Sequence, residues 1–113
     1  MSAAAPGPPH ARHRAKRLTV FVEYADRANR RPIYFEILKR ARHAKVAGLT
    51  AFQGQIGYGE SGRLHHTRVL SEDSPLSIVI IDAPERIDAF LEEIADLVAD
   101  AFVVVADVEV IET

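Results

Sequence analysis

An α+β domain with the element order β-α-β-β-α-β is what this chain predicts, and three observations predict it. Leu18, Val20, Val22 and Tyr24 alternate with Thr19, Phe21 and Glu23, the period of a strand with one face turned inward. Ile87, Phe90, Leu91, Ile94, Leu97 and Val98 form an i, i+3, i+4, i+7 stripe, the period of a helix with one apolar side. Leu76 to Ile81 is apolar on both faces, the mark of a central strand covered front and back.

The other elements fall around these three. Residues 1–16 combine Ala, Pro, Gly, His and basic side chains without apolar periodicity. Ordering them would cost backbone entropy with nothing buried in return, so the expectation is a disordered basic tail before a domain at 17–113. The polar connection after the first strand ends at Pro32, whose fixed φ and missing N–H suit the first turn of a helix. Ile33, Ile37, Ala41 and Ala44 then repeat at helical spacing through Val46, and Gly48 is expected to supply the left-handed stop. Leu49 to Ile56 alternates again as a second strand. A connection from Gly57 to Ser74 follows, closed by Pro75 and longer than the usual 4–6 residues or so, which marks function or disorder. Ala83-Pro84-Glu85 opens the second helix, and Phe102, Val104, Ala106, Val108 and Val110 alternate along the last strand.

This order is the split β-α-β arrangement of ferredoxin-like domains, a four-stranded antiparallel sheet with two helices on one face. The first and third strands are then central. Their uncovered side would carry Phe21, Val79 and Ile81 beside an apolar row of the last strand. Each large apolar side chain gains about 1.5–3 kcal/mol on full burial, and monomers seldom leave a large apolar patch wet. A closed homo-oligomer built on these sheet faces is the expectation.

Bulk properties narrow the function. A chain of 113 residues has room for one modest core, and 48% hydrophobic with 27% charged residues is ordinary globular composition. No apolar run reaches the roughly 18 residues needed to span a bilayer, and the first residues lack the apolar segment of a secretory signal, so a cytoplasmic protein is expected. There is no cysteine, which removes disulfides, thiolate catalysis and cysteine-based zinc sites together. The net charge of −2 hides an asymmetry: eleven of fourteen Lys and Arg lie at or before Lys45, and thirteen of sixteen acids at or after Glu60. The basic half lacks interleaved aromatics for stacking bases, so it reads as a solvated face complementary to an acidic second helix, without a nucleic-acid partner.

The glycine-rich stretch from Gly54 to Arg68 carries the candidate site. Gly54, Gly57, Gly59 and Gly62 let backbone amides approach a ligand closely, and Tyr58, Arg63, His65 and Arg68 stand among them, an anion-receptive composition. A guanidinium offers two parallel donors to phosphate or carboxylate, whereas the bland role of Arg63 and Arg68 is pairing with Glu60, Glu72 or Asp73. Gly57-x-Gly59-x-x-Gly62 has the form of a dinucleotide fingerprint, with Asp82 twenty residues on, but no helix follows the third glycine. Gly59-Glu60-Ser61-Gly62 falls short of a nucleophile elbow because Arg63 stands where glycine is required. Nothing orients a base on Ser61, so no catalytic residue and no required cofactor is assigned. His65 and His66 are the metal-ligand candidates, with His43 or Glu23 as further donors, yet neighbours in extended chain face opposite ways.

From Arg17 to Glu112 the chain resembles the PII-like family catalogued as domain of unknown function family 190. The resemblance is carried by Arg31-Pro32-Ile33-Tyr34, Ala47-Gly48-Leu49-Thr50, Gly54-x-Ile56-Gly57-Tyr58-Gly59 with His65, Thr67 and Arg68, Glu85 to Leu91, and Asp107 to Ile111. It implies a homotrimer related to PII signalling proteins, which bind adenine nucleotides or other small effectors in clefts between subunits. It also implies that the loop between strands two and three engages a partner, often a membrane transporter, and an association with fluoride-channel genes points to an ion channel. Two features of true PII proteins are missing: the glycine-rich turn before the last strand, where this chain has Ala99-Asp100-Ala101-Phe102, and the tyrosine at the loop tip. The related CutA proteins set the alternative, a metal-binding trimer with His65 or His66 as ligand. The expectation is therefore a non-enzymatic sensor with a small anionic effector held by Gly57 to Gly62, Arg63, His65 and Arg68.

Overall fold

The computed structural model describes residues 11–54, 56–58, 64–66 and 74–112. In chain order the elements are β1 (Arg12–Glu23), β2 (Arg27–Ala28), β3 (Arg31–Pro32), α1 (Ile33–Ala44), β4 (Leu49–Gln53), β5 (Ile56–Tyr58), β6 (Leu64–His66), β7 (Pro75–Asp82), α2 (Pro84–Glu93) and β8 (Phe102–Ile111). The main sheet is ordered β4-β7-β1-β8 and every pairing in it is antiparallel, with β1 and β7 central. The ferredoxin-like arrangement expected from the sequence is present, and two short ribbons, β2-β3 and β5-β6, are added to it.

Alternation decides which side chains meet the helices. Leu18, Val20 and Val22 of β1 and Leu76, Ile78 and Ile80 of β7 share one face with Ile37 and Ala41 of α1 and Ile87 and Phe90 of α2. Ile94, Leu97 and Val98 complete this core from the turns after α2. The opposite face is bare. Register places Phe52, Ser77, Phe21 and Phe102 in one row across all four strands, and Thr50, Val79, Thr19 and Val104 in the next. Phe21, Phe52 and Phe102 are 42%, 56% and 58% exposed, and the Phe21 and Phe102 rings touch at 5.6 Å between centroids.

Several boundaries differ from the sequence expectation. β1 begins at Arg12, so the boundary drawn between residues 16 and 17 falls inside a strand, while residues 1–10 lie outside the described residues. Residues 12–15 pair with 108–111 of β8 beyond the end of β7. Across the strands and beyond, Arg12 lies 3.7 Å from Glu109 and the His13 ring nitrogen 3.2 Å from Glu112. The second strand ends at Gln53 rather than Ile56: the Gly54 amide still donates to the Pro75 carbonyl at 2.8 Å, but Pro75 has no N–H to return the bond.

The stop of α1 is Lys45, not Gly48: Lys45 takes φ 57°, a left-handed value. Partners forty residues away hold it. The Arg86 guanidinium donates to the Ala44 and Lys45 carbonyls at 3.1 and 2.6 Å, covering acceptors that a helix end leaves open. The same Arg86 donates through Nε to Asp82 at 3.0 Å, and Asp82 also accepts from the Ala47 and Ala83 amides at 2.9 and 2.7 Å. Asp82 thereby ties the end of β7, the start of α2 and the approach to β4 into one knot. Burial raises its pKa, but the Arg86 and amide hydrogen bonds outweigh that and hold the carboxyl below its ordinary value.

Candidate functional site

One end of the sheet gathers the loops. Glu23 pairs with Pro75, Gln53 with Leu76 and Phe21 with Phe102, so the β1-α1 connection, the root of the 55–73 connection and the α2-β8 turn all open on the same side. The root itself is narrow. The Tyr24 amide donates to the Ser74 carbonyl at 2.8 Å, and Ser74 is fully buried. Gly54 lies so close to Pro75 that a Cβ there would come within 2.9 Å of its Cγ, which requires glycine on steric grounds.

Of the sequence candidates, Gly54 sits at this root, and Gly57, Tyr58 and His65 lie in the β5-β6 ribbon. Gly57 stands opposite His65, Tyr58 opposite Leu64 and Ile56 opposite His66. The connection expected over Gly57 to Ser74 thus carries a two-stranded ribbon, which Ile56, expected at the end of the second strand, joins as well. Gly59, Gly62, Arg63 and Arg68 lie outside the described residues, as do Glu60 and Ser61. Among the described residues, no group of three His, Asp or Glu is placed to hold a metal ion, and His43 and Glu23 are not joined into one.

Beside the root stand residues that the sequence analysis did not single out. Tyr24, at the end of β1, stacks on Tyr34 in the first turn of α1 with ring centroids 5.1 Å apart and planes 20° from parallel. A hydroxyl-to-hydroxyl bond with Tyr24 pushes the Tyr34 phenol above its ordinary value, burial adds to this, and the nearby Arg27 charge opposes it. Asp26 fixes the start of the β1-α1 connection: its carboxylate accepts the Glu23 amide at 2.8 Å, and its carbonyl accepts the Ile33 amide at 2.9 Å. Glu36, also in the first turn of α1, buries Oε2 without a hydrogen-bond partner, and the Arg31 guanidinium stands 3.8 Å from it. A stacked tyrosine pair and an arginine at a loop root can hold a planar or anionic group, but tyrosines at the end of an apolar strand carry no separate signal in sequence.

These features define an α+β domain of the ferredoxin-like class, and comparison with known proteins agrees. Residues 15–110 match the model of domain of unknown function family 190, described as "Uncharacterized ACR". The chain belongs to that family. A UPF0166 protein from Aquifex aeolicus (strain VF5) is 34% identical over 98 residues, covering 85% of this chain and 92% of the relative. Among solved structures, CPII from Thiomonas intermedia K12 is a nitrogen regulatory PII-like protein whose complex with ADP, AMP and bicarbonate superposes with a TM-score of 0.71. It is 20% identical, with 90% of this chain and 92% of that one covered. Its apo form gives a TM-score of 0.64 at 18% identity, with 91% and 98% covered. Among the described residues no helix is long and apolar enough to cross a membrane.

Proposed function

We propose that this protein is a non-enzymatic, PII-like sensor: a homotrimer that binds a small anionic effector, an adenine nucleotide first among them, in clefts between its subunits. The observation that carries this is the bare sheet face. Phe52, Phe21 and Phe102 form an exposed aromatic row at the end of the sheet from which the 55–73 connection springs. Covering that row with further copies places the seams between subunits next to Gly54 and Ser74. A fold shared with CPII, which has been crystallised with ADP, AMP and bicarbonate, supports the choice of effector class. In the occupied state Gly57, Tyr58, Gly59, Gly62, Arg63, His65 and Arg68 supply amide and cationic donors, and the loop of residues 57–74 changes its fit to a partner, a membrane transporter or channel.

Two measurements test this. Light scattering is expected to give the mass of three copies at micromolar concentration, and a monomer would overturn the trimer together with its clefts. Isothermal titration with ADP, AMP and bicarbonate is expected to give saturable heat with at least one of them, and silence with all three on native protein rejects the sensor.

A further inference from the structure

The connection between β1 and α1 is built as a hairpin, with Arg27 opposite Pro32, Ala28 opposite Arg31, and Asn29 and Arg30 at the tip. Both tip residues are left-handed, at φ 53° and 69°. Two consecutive left-handed residues make the tight turn that matches strand twist, and its preferred sequence is Asn-Gly. Asn29 fits. Arg30 stands where glycine is favoured, holding a conformation that side chains with a Cβ adopt at a cost. Nothing in the core repays it, because Arg30 is exposed. An arginine kept at a strained, exposed tip points to work done by its side chain.

Its neighbours extend the argument. Among the described residues no carboxylate pairs with Arg27 or Arg30, and the contact of Arg31 with Glu36 at 3.8 Å is too long for a hydrogen bond. The nearest acid at the base of the hairpin, Asp26, already accepts the Glu23 amide. Among the described residues Arg27 and Arg30 thus have no carboxylate partner at the sheet end that holds the loop root, and Arg31 beside them is met only by Glu36. Cross-strand register puts Arg27 on one face of the hairpin and Arg31 on the other, with Arg30 between them at the turn. Guanidinium groups spread in this way cannot close together on one compact anion such as bicarbonate. They suit an anion whose charged oxygens are spaced along it.

We infer that the Arg27–Arg31 hairpin is an anion-recognition arm, in which Arg30, helped by Arg27 or Arg31, grips linked phosphate groups of an effector bound beside the loop root. This rests on the sensor proposed above and narrows its ligand to a pyrophosphate-bearing molecule.

The test titrates full-length parent, Arg30→Gly, Arg30→Asn and Arg27→Ala proteins with ADP and with inorganic pyrophosphate, and records thermal melts of each. Losing one charge-assisted contact to phosphate weakens binding by about tenfold or more. Arg30→Gly and Arg30→Asn, both at ease in a left-handed turn, are expected to bind about tenfold more weakly while melting at or above the parent temperature. That pairing, affinity down with stability kept, is one that a merely structural arginine would not give. If the parent binds either probe and both Arg30 variants bind it equally well, the arm is rejected and the sensor stands. If the parent binds neither probe but does bind AMP or bicarbonate, the arm again falls alone; if it binds none of the four, both fall. Weaker binding with a lower melting temperature in both variants would make Arg30 structural and overturn the inference.

Discussion

On β1, Leu18, Val20 and Val22 lie beneath the helices at no more than 6% exposure, whereas Phe21, one step along, is 42% exposed on the other side. β7 behaves alike: Leu76, Ile78 and Ile80 are buried and Ile81 is not. The two faces are made from the same strands and both carry large apolar side chains, although the bare one adds Thr19, Thr50 and Ser77, so hydrophobicity alone does not separate them. What separates them is α1 and α2, which cover one face and leave the other to whatever the protein meets. The covered face decides that the chain folds, and on the proposed reading the bare face decides what it folds beside.

The sharpest probe of that contrast replaces one phenylalanine on each side. Phe90→Ala, which empties a site 2% exposed, is expected to cost about 3–5 kcal/mol in a urea unfolding curve. Phe102→Ala, 58% exposed, should cost a monomer about 1 kcal/mol or less, its contact with Phe21 included, and show itself as a fall in mass on dilution. Equal losses in a species that is monomeric throughout would erase the distinction between the faces.

A middle-sized effect is expected at Asp82, whose bonds to Arg86 and two amides fasten the helical side together. Asp82→Asn should cost about 2 kcal/mol, the scale of hydrogen bonds to a charged group. Because the folded carboxyl titrates below the ordinary value of about 3.9, its stabilisation is complete above that pH and is lost as pH falls through the depressed folded pKa. The Asn variant should therefore show a flatter loss of stability between pH 4 and lower values than the parent, by roughly one proton's slope. An unchanged slope would mean that the knot carries no charge-dependent stability.

The smallest effect belongs to the exposed pairs, Lys16 with Asp88 and Arg40 with Asp96, each at 2.9 Å. Lys16→Ala should change the melting temperature less than Asp82→Asn does, and added salt should remove the difference. A salt-resistant change would move Lys16 from the surface ledger to the covered face.

What was legible in sequence follows the same contrast. α2 announces itself because its periodicity is made by residues facing one core. β7 does so as a near-continuous apolar run, and β8 because apolar side chains alternate along it, although Phe102 and Val104 turn to the bare face. The start of β1 does not, since Arg12, His13, Arg14, Ala15 and Lys16 have no apolar alternation, and their pairing depends on β8, ninety residues away. The end of α1 was misplaced for a related reason: Gly48 is the usual stop, but Arg86 and Asp82 supply the partners that let Lys45 turn first. At the candidate site, composition singled out Gly54 for the approach of a ligand, whereas the structure shows a steric place for it against Pro75. The Tyr24-Tyr34 stack and the β2-β3 hairpin were not, because a stack joins elements distant in the pattern and an Asn-Arg tip lacks the glycine by which such turns are known.

The long pairing of β1 with β8 has a practical sequel. The Glu112 amide donates to the Ala11 carbonyl at 2.8 Å, so the two ends of the described chain sit side by side. The twelve residues of β1 put that corner about 35 Å from Tyr24 and Ser74. A fluorophore or fused domain attached at Ala11 or Glu112 therefore leaves from the pole remote from the loops, and a short bridge joining those two residues would let the chain be reopened elsewhere without unpicking the sheet.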